Sequence, residues 1–282
     1  MDEMEVDDQQ KSPIQGTKAS GETDVGFLAE ANLPKGKAKE DERFRYGNYN
    51  QYYGTRLDGK FVKDPRLDLM KDEWFAKKAV LDIGCNAGMI TLYIAKHMNP
   101  RRIVGLDIDP NLVGIARKNI RHYCDKDVKL AGKMPAPKHF EEDEVPTFPH
   151  NVWFICTSYV FPDEEMLDMV IPEYNTILAL SITKWIHLNW GDSGLKLFFK
   201  RAYKNLKSGG WFILEPQDIR TYGKSCRKIP SMKSVYKSIE LTPDKFSDYL
   251  INEVGFVECL DLGIPKAKSK GFQRPILAFR KK

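Results

Sequence analysis

The chain has 282 residues, 42% of them apolar, and a formal net charge of +5, enough for one large domain with a sizeable core and a tail. No run approaches the ~18 apolar residues of a membrane-spanning helix, and the acidic start from Met1 to Asp8 is not a secretory signal. The five cysteines, at 85, 124, 156, 226 and 259, show no C-x-x-C spacing, so neither a zinc site nor a disulfide frame is indicated, and reduced thiols of a cytosolic or nuclear compartment are expected.

Residues 1–40 are polar and nearly free of aromatics, and read as a disordered tail; the folded domain is expected over 41–282. Composition changes at Phe44, where Tyr46, Tyr49, Tyr52 and Tyr53 alternate with Gly47, Asn48, Asn50 and Gly54, and Arg56 closes the run. Ala79-Val80-Leu81 predicts a first strand, followed by a turn and a helix from Gly88 to Met98. A second strand over Ile103 to Leu106 ends in Asp107, and Pro110 opens a helix that runs to Tyr123. Asp125 to Pro149 is charged and contains prolines, hence a surface loop or insertion. Val152 to Cys156 and Asn175 to Ile182 are apolar runs that fit parallel strands covered on both faces. A helix from Leu195 to Leu206 should stop at Lys207-Ser208-Gly209-Gly210, and Trp211 to Glu215 follows as a strand. Thr242 is expected to N-cap a helix over Pro243 to Glu253, and Gly255 to Asp261 and Arg274 to Phe279 supply the last two strands. The alternation predicts an α/β fold with a doubly wound, mostly parallel sheet, its ligands beyond the carboxyl ends of the strands.

The most informative stretch is Asp82-Ile83-Gly84-Cys85-Asn86-Ala87-Gly88 between the first strand and its helix. With Asp107 at the next strand end, it has the layout of a nucleotide-binding βαβ unit. Gly84 allows a tight turn and close backbone approach, and Asp107 is placed to accept from a ribose diol. The spacing departs from G-x-G-x-x-G, and the Asn86 substitution argues against a nicotinamide-dependent dehydrogenase. The form resembles motif I of the S-adenosylmethionine-dependent methyltransferases, in which an acid such as Asp82 suits a ligand with a cationic amino-acid end.

The segment after the fourth strand, Leu180 to Asp192, faces the methyl acceptor in such a fold. It contains neither the Asn/Asp-Pro-Pro-Tyr/Phe turn of amine methylation nor a Pro-Cys nucleophile. It offers Lys184 beside Trp185 and Trp190. In isolation Lys184 reads as a surface lysine; just past a buried strand, it suits an anionic acceptor. A phosphate is already ionised and needs positioning and charge rather than a base. His187 reads as a hydrogen-bonded structural histidine, and the tryptophan pair either stacks on a base or packs in the core. The Tyr46 to Arg56 run reads as a flap, packed on the sheet or also closed over both ligands; the second is preferred, because tyrosine faces suit a base and Arg56 suits phosphate. Basic runs at Lys224, Arg227, Lys228 and Lys233, and from Lys266 to Lys282, are either solvated surface or a face for a polyanion.

Taken together, Tyr46-Gly47-Asn48-Tyr49, Tyr52-Tyr53-Gly54, Glu73-Trp74-Phe75, the Val80 to Asn86 turn, Gly105-Leu106-Asp107-Ile108-Asp109, Asn119 to Tyr123, the Leu180 to Asp192 run, Glu215-Pro216-Gln217 and Ser269 to Pro275 resemble the methylphosphate capping enzymes of the Bin3 family. The resemblance covers Phe44 to Phe279. It implies a class I, Rossmann-like methyltransferase with a seven-stranded sheet and an antiparallel last strand. It implies methyl transfer from S-adenosylmethionine to the γ-phosphate of a 5′-triphosphate small nuclear RNA of the 7SK type, without a metal. By motif, Tyr53, Arg66, Gly84, Cys85, Asn86, Asp107, Ile108, Ser158, Tyr159 and Leu180 would contact the cofactor. Tyr52, Arg56 and Lys184 would hold the triphosphate, and Tyr46, Tyr49, Lys270, Phe272 and Arg274 would contact RNA. A monomeric, nuclear protein is expected, with a La-related protein as companion in the RNA particle. The rival readings are a particle scaffold that stays on the capped RNA end, and a methyltransferase for a protein or small molecule.

Overall fold

A computed structural model describes residues 44–49, 52–57, 63–132, 134–136, 138, 144–267 and 270–282. The expected tail over 1–40 lies outside the described residues. Seven strands form one sheet: β1 (Ala79–Ile83), β2 (Arg102–Asp107), β3 (Val152–Cys156), β4 (Tyr174–Leu180), β5 (Leu206–Glu215), β6 (Glu258–Asp261) and β7 (Leu277–Arg280). Their order across the sheet is β3-β2-β1-β4-β5-β7-β6. The first five are parallel, and β7 is antiparallel to both of its neighbours. This is the doubly wound sheet that the alternation predicts, with the antiparallel last strand that the resemblance implies.

Every residue of β1 is buried, as is nearly all of β4. Side chains of a strand alternate between faces, so both faces of these strands must be covered. One face packs Leu81, Ile177, Ala179 and Phe212 against Leu195, Phe198, Phe199 and Ala202 of the long helix α4 (Thr183–Asn205). The other packs Val80, Ile103, Leu178 and Ile213 against α2 (Met89–His97) and α3 (Pro110–Tyr123). Each fully buried Leu, Ile or Phe contributes roughly 1.5–3 kcal/mol. The ends of α3 follow its local signals: Pro110 takes the first position, and the Asp109 carboxylate accepts from the N–H groups of Asn111 and Leu112.

Four boundaries depart from expectation. β5 begins at Leu206 and includes the four residues expected to end a helix; Leu206 pairs with Tyr174 but Trp211 with Thr176, so the extra residues bulge out around Gly209 at φ 71°. α4 starts at Thr183, twelve residues before the expected Leu195, and bends at Gly191, whose φ of 66° and ψ of −167° are not helical. The segment after Thr242 is a 3-10 turn (Pro243–Lys245), one α turn (Phe246–Tyr249) and a π turn (Leu250–Val254), and Thr242 makes no side-chain cap bond. β7 starts at Leu277, because Pro275 has no N–H to give a ladder and Arg274 is turned toward the site. Within Asp125 to Pro149 a small hairpin pairs Leu130–Ala131 with Met134–Pro135.

Candidate functional site

The carboxyl ends of β1, β2 and β4 open into a cleft that reaches solvent. The β1–α2 turn forms its floor. Gly84 has φ 75°, and a Cβ there would lie 2.3 Å from Ile182 Cγ2, so the turn needs glycine twice over. The N–H groups of Gly84 and Cys85 both donate to the Leu106 carbonyl, at 2.8 and 2.9 Å. Asn86 sits at φ 52° and its N–H donates to Asp107 Oδ2 at 2.9 Å. Asp107 Oδ1 accepts from the Asp109 N–H at 3.0 Å. A carboxylate has about four acceptor positions, so acceptor capacity remains for a ligand diol. Burial raises the Asp107 carboxyl above its ordinary value, and backbone hydrogen bonds from Asp109, Asn86 and Ile108 oppose that shift.

Ile108, Ser158, Tyr159, Leu180 and Ser181 complete this side of the cleft. Cys85 is buried and Tyr53 packs among the core residues behind the turn; neither lines the cleft. The Tyr159 ring points away from it, with its hydroxyl on Asn205 Oδ1 at 3.1 Å. Asp82 is turned to α2, where it accepts from Thr91 Oγ1 at 2.6 Å, and does not line the cleft. The expectation that Asp82 receives a cationic ligand end is therefore corrected: the nearest hydroxyl of the following helix takes it. Burial pushes its carboxyl up to about 6.

From the Tyr46 to Arg56 segment, Tyr46, Gly47, Asn48 and Tyr52 also line the cleft. Tyr46 stacks on Trp190 with centroids 5.8 Å apart, and Tyr49 packs edge-on against Trp185 at 6.0 Å. Gly47 has φ 70°, and a Cβ there would lie 2.1 Å from Trp185 Nε1. Arg45 and Asn189 bond reciprocally and fasten the segment to α4. The segment thus packs on α4 and lines the cleft at once. Asn48 gives its amide N–H to Asp109 at 2.5 Å, while its Oδ1 is buried without a partner. A buried acceptor left empty is costly. A ligand donor at this point of the cleft would satisfy it.

The acceptor end is a charged network. Glu215, at the end of β5 and fully buried, accepts from Arg56 at 2.8 Å, Arg66 at 2.9 Å and Ser181 Oγ at 2.5 Å. Asp64 takes the other edge of Arg66 at 2.8 and 3.0 Å. Burial pushes the Glu215 carboxyl up, but the Arg66, Arg56 and Arg274 charges and the Ser181 bond outweigh it and hold it below its usual range. Arg66 is 1% exposed with both edges committed, and does not line the cleft. Arg56 is likewise buried, giving its remaining bond to the Tyr52 oxygen at 3.0 Å.

Arg274 differs from both. It makes no ion pair with a carboxylate among the described residues. Its guanidinium donates to Ser181 Oγ at 2.9 Å and lies 5.5 Å from the Phe272 ring centroid, whose ring also meets Arg56 at 5.1 Å. Lys184 is half-buried at the start of α4, with its ammonium 4.3 Å from the Trp185 ring centroid. It does not itself line the cleft; Trp185, beneath it, does. Burial pushes its ammonium down to about 8, and the charges of Arg274 and Lys228 add to that. Its N–H is fixed on Gln217 Oε1 at 3.0 Å. Lys270 lies in the short turn Lys270–Phe272, and its side chain is outside the described residues. His187 is fully buried and paired with Asp192 at 2.6 Å, which gives it a structural place. Sequence reasoning missed the parts played by Ser181, Asp64 and Asn48. Asn48 and Ser181 lie in runs that the sequence singles out, but nothing in those runs, or around Asp64, shows which partner each side chain takes.

A family model described as Bicoid-interacting protein 3 (Bin3) matches residues 174–281, and a methyltransferase-domain model matches residues 81–212. The chain is 39% identical to the 7SK snRNA methylphosphate capping enzyme of Mus musculus, over 87% of this chain and 42% of that protein. It is 39% identical to the U6 snRNA methylphosphate capping enzyme Amus of Drosophila melanogaster, over 86% of this chain and 76% of that protein. The chain spans about two fifths of the length of the mammalian capping enzymes it matches. Among solved structures, the bifunctional kinase-methyltransferase WbdD superposes with a TM-score of 0.50 at 17% identity, over 79% of this chain and 41% of that one, a likeness of fold.

Proposed function

Because the chain belongs to the methylphosphate capping enzymes of the Bin3 family, we propose that it methylates the terminal phosphate of an RNA 5′ end, the γ-phosphate of a triphosphate small nuclear RNA of the 7SK or U6 kind. The observation that carries this reading is the pair of cations, Arg274 and Lys184, that have no carboxylate partner among the described residues and lie beside a cleft whose other end is the Gly84 turn. The residues present fit S-adenosylmethionine: Asp107 keeps acceptor positions for a diol, the Gly84 turn admits close approach, and Asn48 Oδ1 awaits a donor. Bound there, the cofactor supplies an electrophilic methyl group on a sulfonium.

The rest is done by the chain. Arg274 and Lys184 hold and orient the phosphate, and the Tyr52 hydroxyl beside them donates to Ser181. Arg56 and Arg66, neutralised by Glu215 and Asp64, brace that wall from behind. No side chain needs to take a proton, because the acceptor oxygen is ionised at neutral pH. Tyr46, Trp185 and Trp190 narrow the entrance and exclude water. Exposed Lys224, Arg227, Lys228 and Lys233 lie on the helices after β5, where an RNA backbone would find positive charge. A nuclear location, a La-related companion and a monomeric chain belong to the same proposal; co-purification from nuclear extract tests them.

The test of function uses labelled S-adenosylmethionine with matched transcripts carrying a 5′ triphosphate, monophosphate or hydroxyl. Label should enter the triphosphate RNA, with many turnovers when RNA is in excess. Label on protein, or equal label on all three RNAs, contradicts the reading; a single turnover favours the scaffold.

A further inference from the structure

Resting on the functional reading above, we propose that Ser181 is a positioning residue of the acceptor site: its hydroxyl aims the Arg274 guanidinium at the bound anion. A hydroxyl has one proton and two acceptor positions. At Ser181 all three are assigned. The Glu215 carboxylate can only accept, so the Ser181 proton goes to it, at 2.5 Å. Both lone pairs then face outward. One receives the Tyr52 O–H at 3.1 Å, and the other receives Arg274 at 2.9 Å. The Tyr52 proton is spent on that bond and its oxygen accepts from Arg56, so Tyr52 braces Ser181 and does not itself donate to the anion. A single buried carboxylate therefore sets the orientation of Arg274, which it does not touch.

The backbone shows that Ser181 is held in place for this. It has φ 63°, a left-handed conformation that costs a serine about 1 kcal/mol or more and persists only when its surroundings impose it. Here its N–H donates to the Glu215 carbonyl at 3.1 Å, and its carbonyl accepts from the Gln217 side-chain amide. The same Gln217 side chain accepts from the Lys184 N–H and the Thr183 hydroxyl, both at 3.0 Å. The turn that strains Ser181 thus also fixes the start of α4 and the root of Lys184.

The acceptor for Arg274 is neutral, and this matters. A carboxylate at this position would spend the charge of Arg274, as Glu215 does for Arg56 and Arg66. A hydroxyl orients the guanidinium through one N–H and leaves its charge for the ligand. The other N–H groups of Arg274 meet no protein acceptor among the described residues. Arginine carries about 2 kcal/mol of rotamer entropy, and one fixed bond removes part of that cost before an anion arrives.

The test is a double-mutant cycle read with inorganic tripolyphosphate and, separately, S-adenosylhomocysteine, each titrated calorimetrically. Ser181→Gly removes the hydroxyl, and glycine adopts the left-handed turn without strain; Ser181→Ala is the second variant. Ser181→Gly should weaken tripolyphosphate about tenfold, the loss of one charged hydrogen bond, with S-adenosylhomocysteine affinity changed less than twofold. In an Arg274→Ala background the Ser181 effect should shrink to near nothing. A merely structural role would not produce that coupling. Undiminished tripolyphosphate affinity in Ser181→Gly, an equal loss in both backgrounds, or a parallel loss of S-adenosylhomocysteine overturns the proposal. Absence of methyl transfer by the unmodified chain would instead contradict the proposed function, and the tripolyphosphate cycle would still decide the role of Ser181.

Discussion

The two ends of the cleft are built in different ways. The turn end comes from one short stretch: Gly84 to Gly88, closed by Asp107 on the neighbouring strand and capped by Asn119, whose amide donates to the Ala87 carbonyl at 2.9 Å. The acceptor end draws on Tyr52 and Arg56, on Asp64 and Arg66, on Ser181 to Lys184, on Glu215 to Gln217 and on Phe272 to Arg274. The first is shaped by backbone conformation and uses few charges. The second is held by buried ion pairs between distant segments, and leaves two cations unspent. A ligand with a neutral nucleoside body suits the first, and a polyanion suits the second.

That division gives expected outcomes of decreasing size. Glu215→Ala leaves Arg56 and Arg66 buried beside a hole where their shared carboxylate was. Breaking such a pair costs about 3–5 kcal/mol, and should show as a large fall in the denaturant midpoint. Loss of under 1 kcal/mol would mean that the network is not what joins these segments. Gly84→Ala meets both a positive φ and a Cβ 2.3 Å from Ile182 Cγ2. It should cost about 1–3 kcal/mol and weaken S-adenosylhomocysteine at least as much as tripolyphosphate.

A pH titration separates the ends without mutation. Lys184 is charged below about 8 and loses its proton as pH rises through that value. Tripolyphosphate affinity should therefore be full at neutral pH and fall about tenfold toward pH 9, since each unit above the transition removes a factor of ten of the charged form. S-adenosylhomocysteine affinity should stay level over the same range. A flat tripolyphosphate profile, or a fall that persists unchanged in Lys184→Ala, would place Lys184 outside the acceptor site.

The same division governs how much was legible in the sequence. The succession of strands along the chain, the Gly84 turn and Asp107 at its strand end follow from local periodicity and turn chemistry, the antiparallel last strand follows from the family resemblance, and all are found in the fold. The Tyr46 to Arg56 run announced a lining segment through composition alone. Partner choice was not legible. Nothing near Arg66 says that Asp64 and Glu215 take both of its edges, and nothing near Asp82 says that Thr91 takes its carboxylate. Ser181 looks like an ordinary strand-end serine until its φ is known. The early start of α4 was not legible because a glycine in a helix interior is unfavourable, whereas the helix bends at Gly191 and continues. The length of β5 was hidden because a bulge and a helix stop use the same glycines.

The most direct measurement crosses the two ends. Asp107→Ala and Arg274→Ala are each titrated with S-adenosylhomocysteine and with a 5′-triphosphate oligonucleotide. Asp107→Ala should lose at least tenfold in the nucleoside ligand and keep the oligonucleotide within twofold; Arg274→Ala should do the reverse. If either variant loses both ligands alike, or Arg274→Ala binds the triphosphate as tightly as the unmodified chain, the cleft is not divided between a nucleoside end and an anion end.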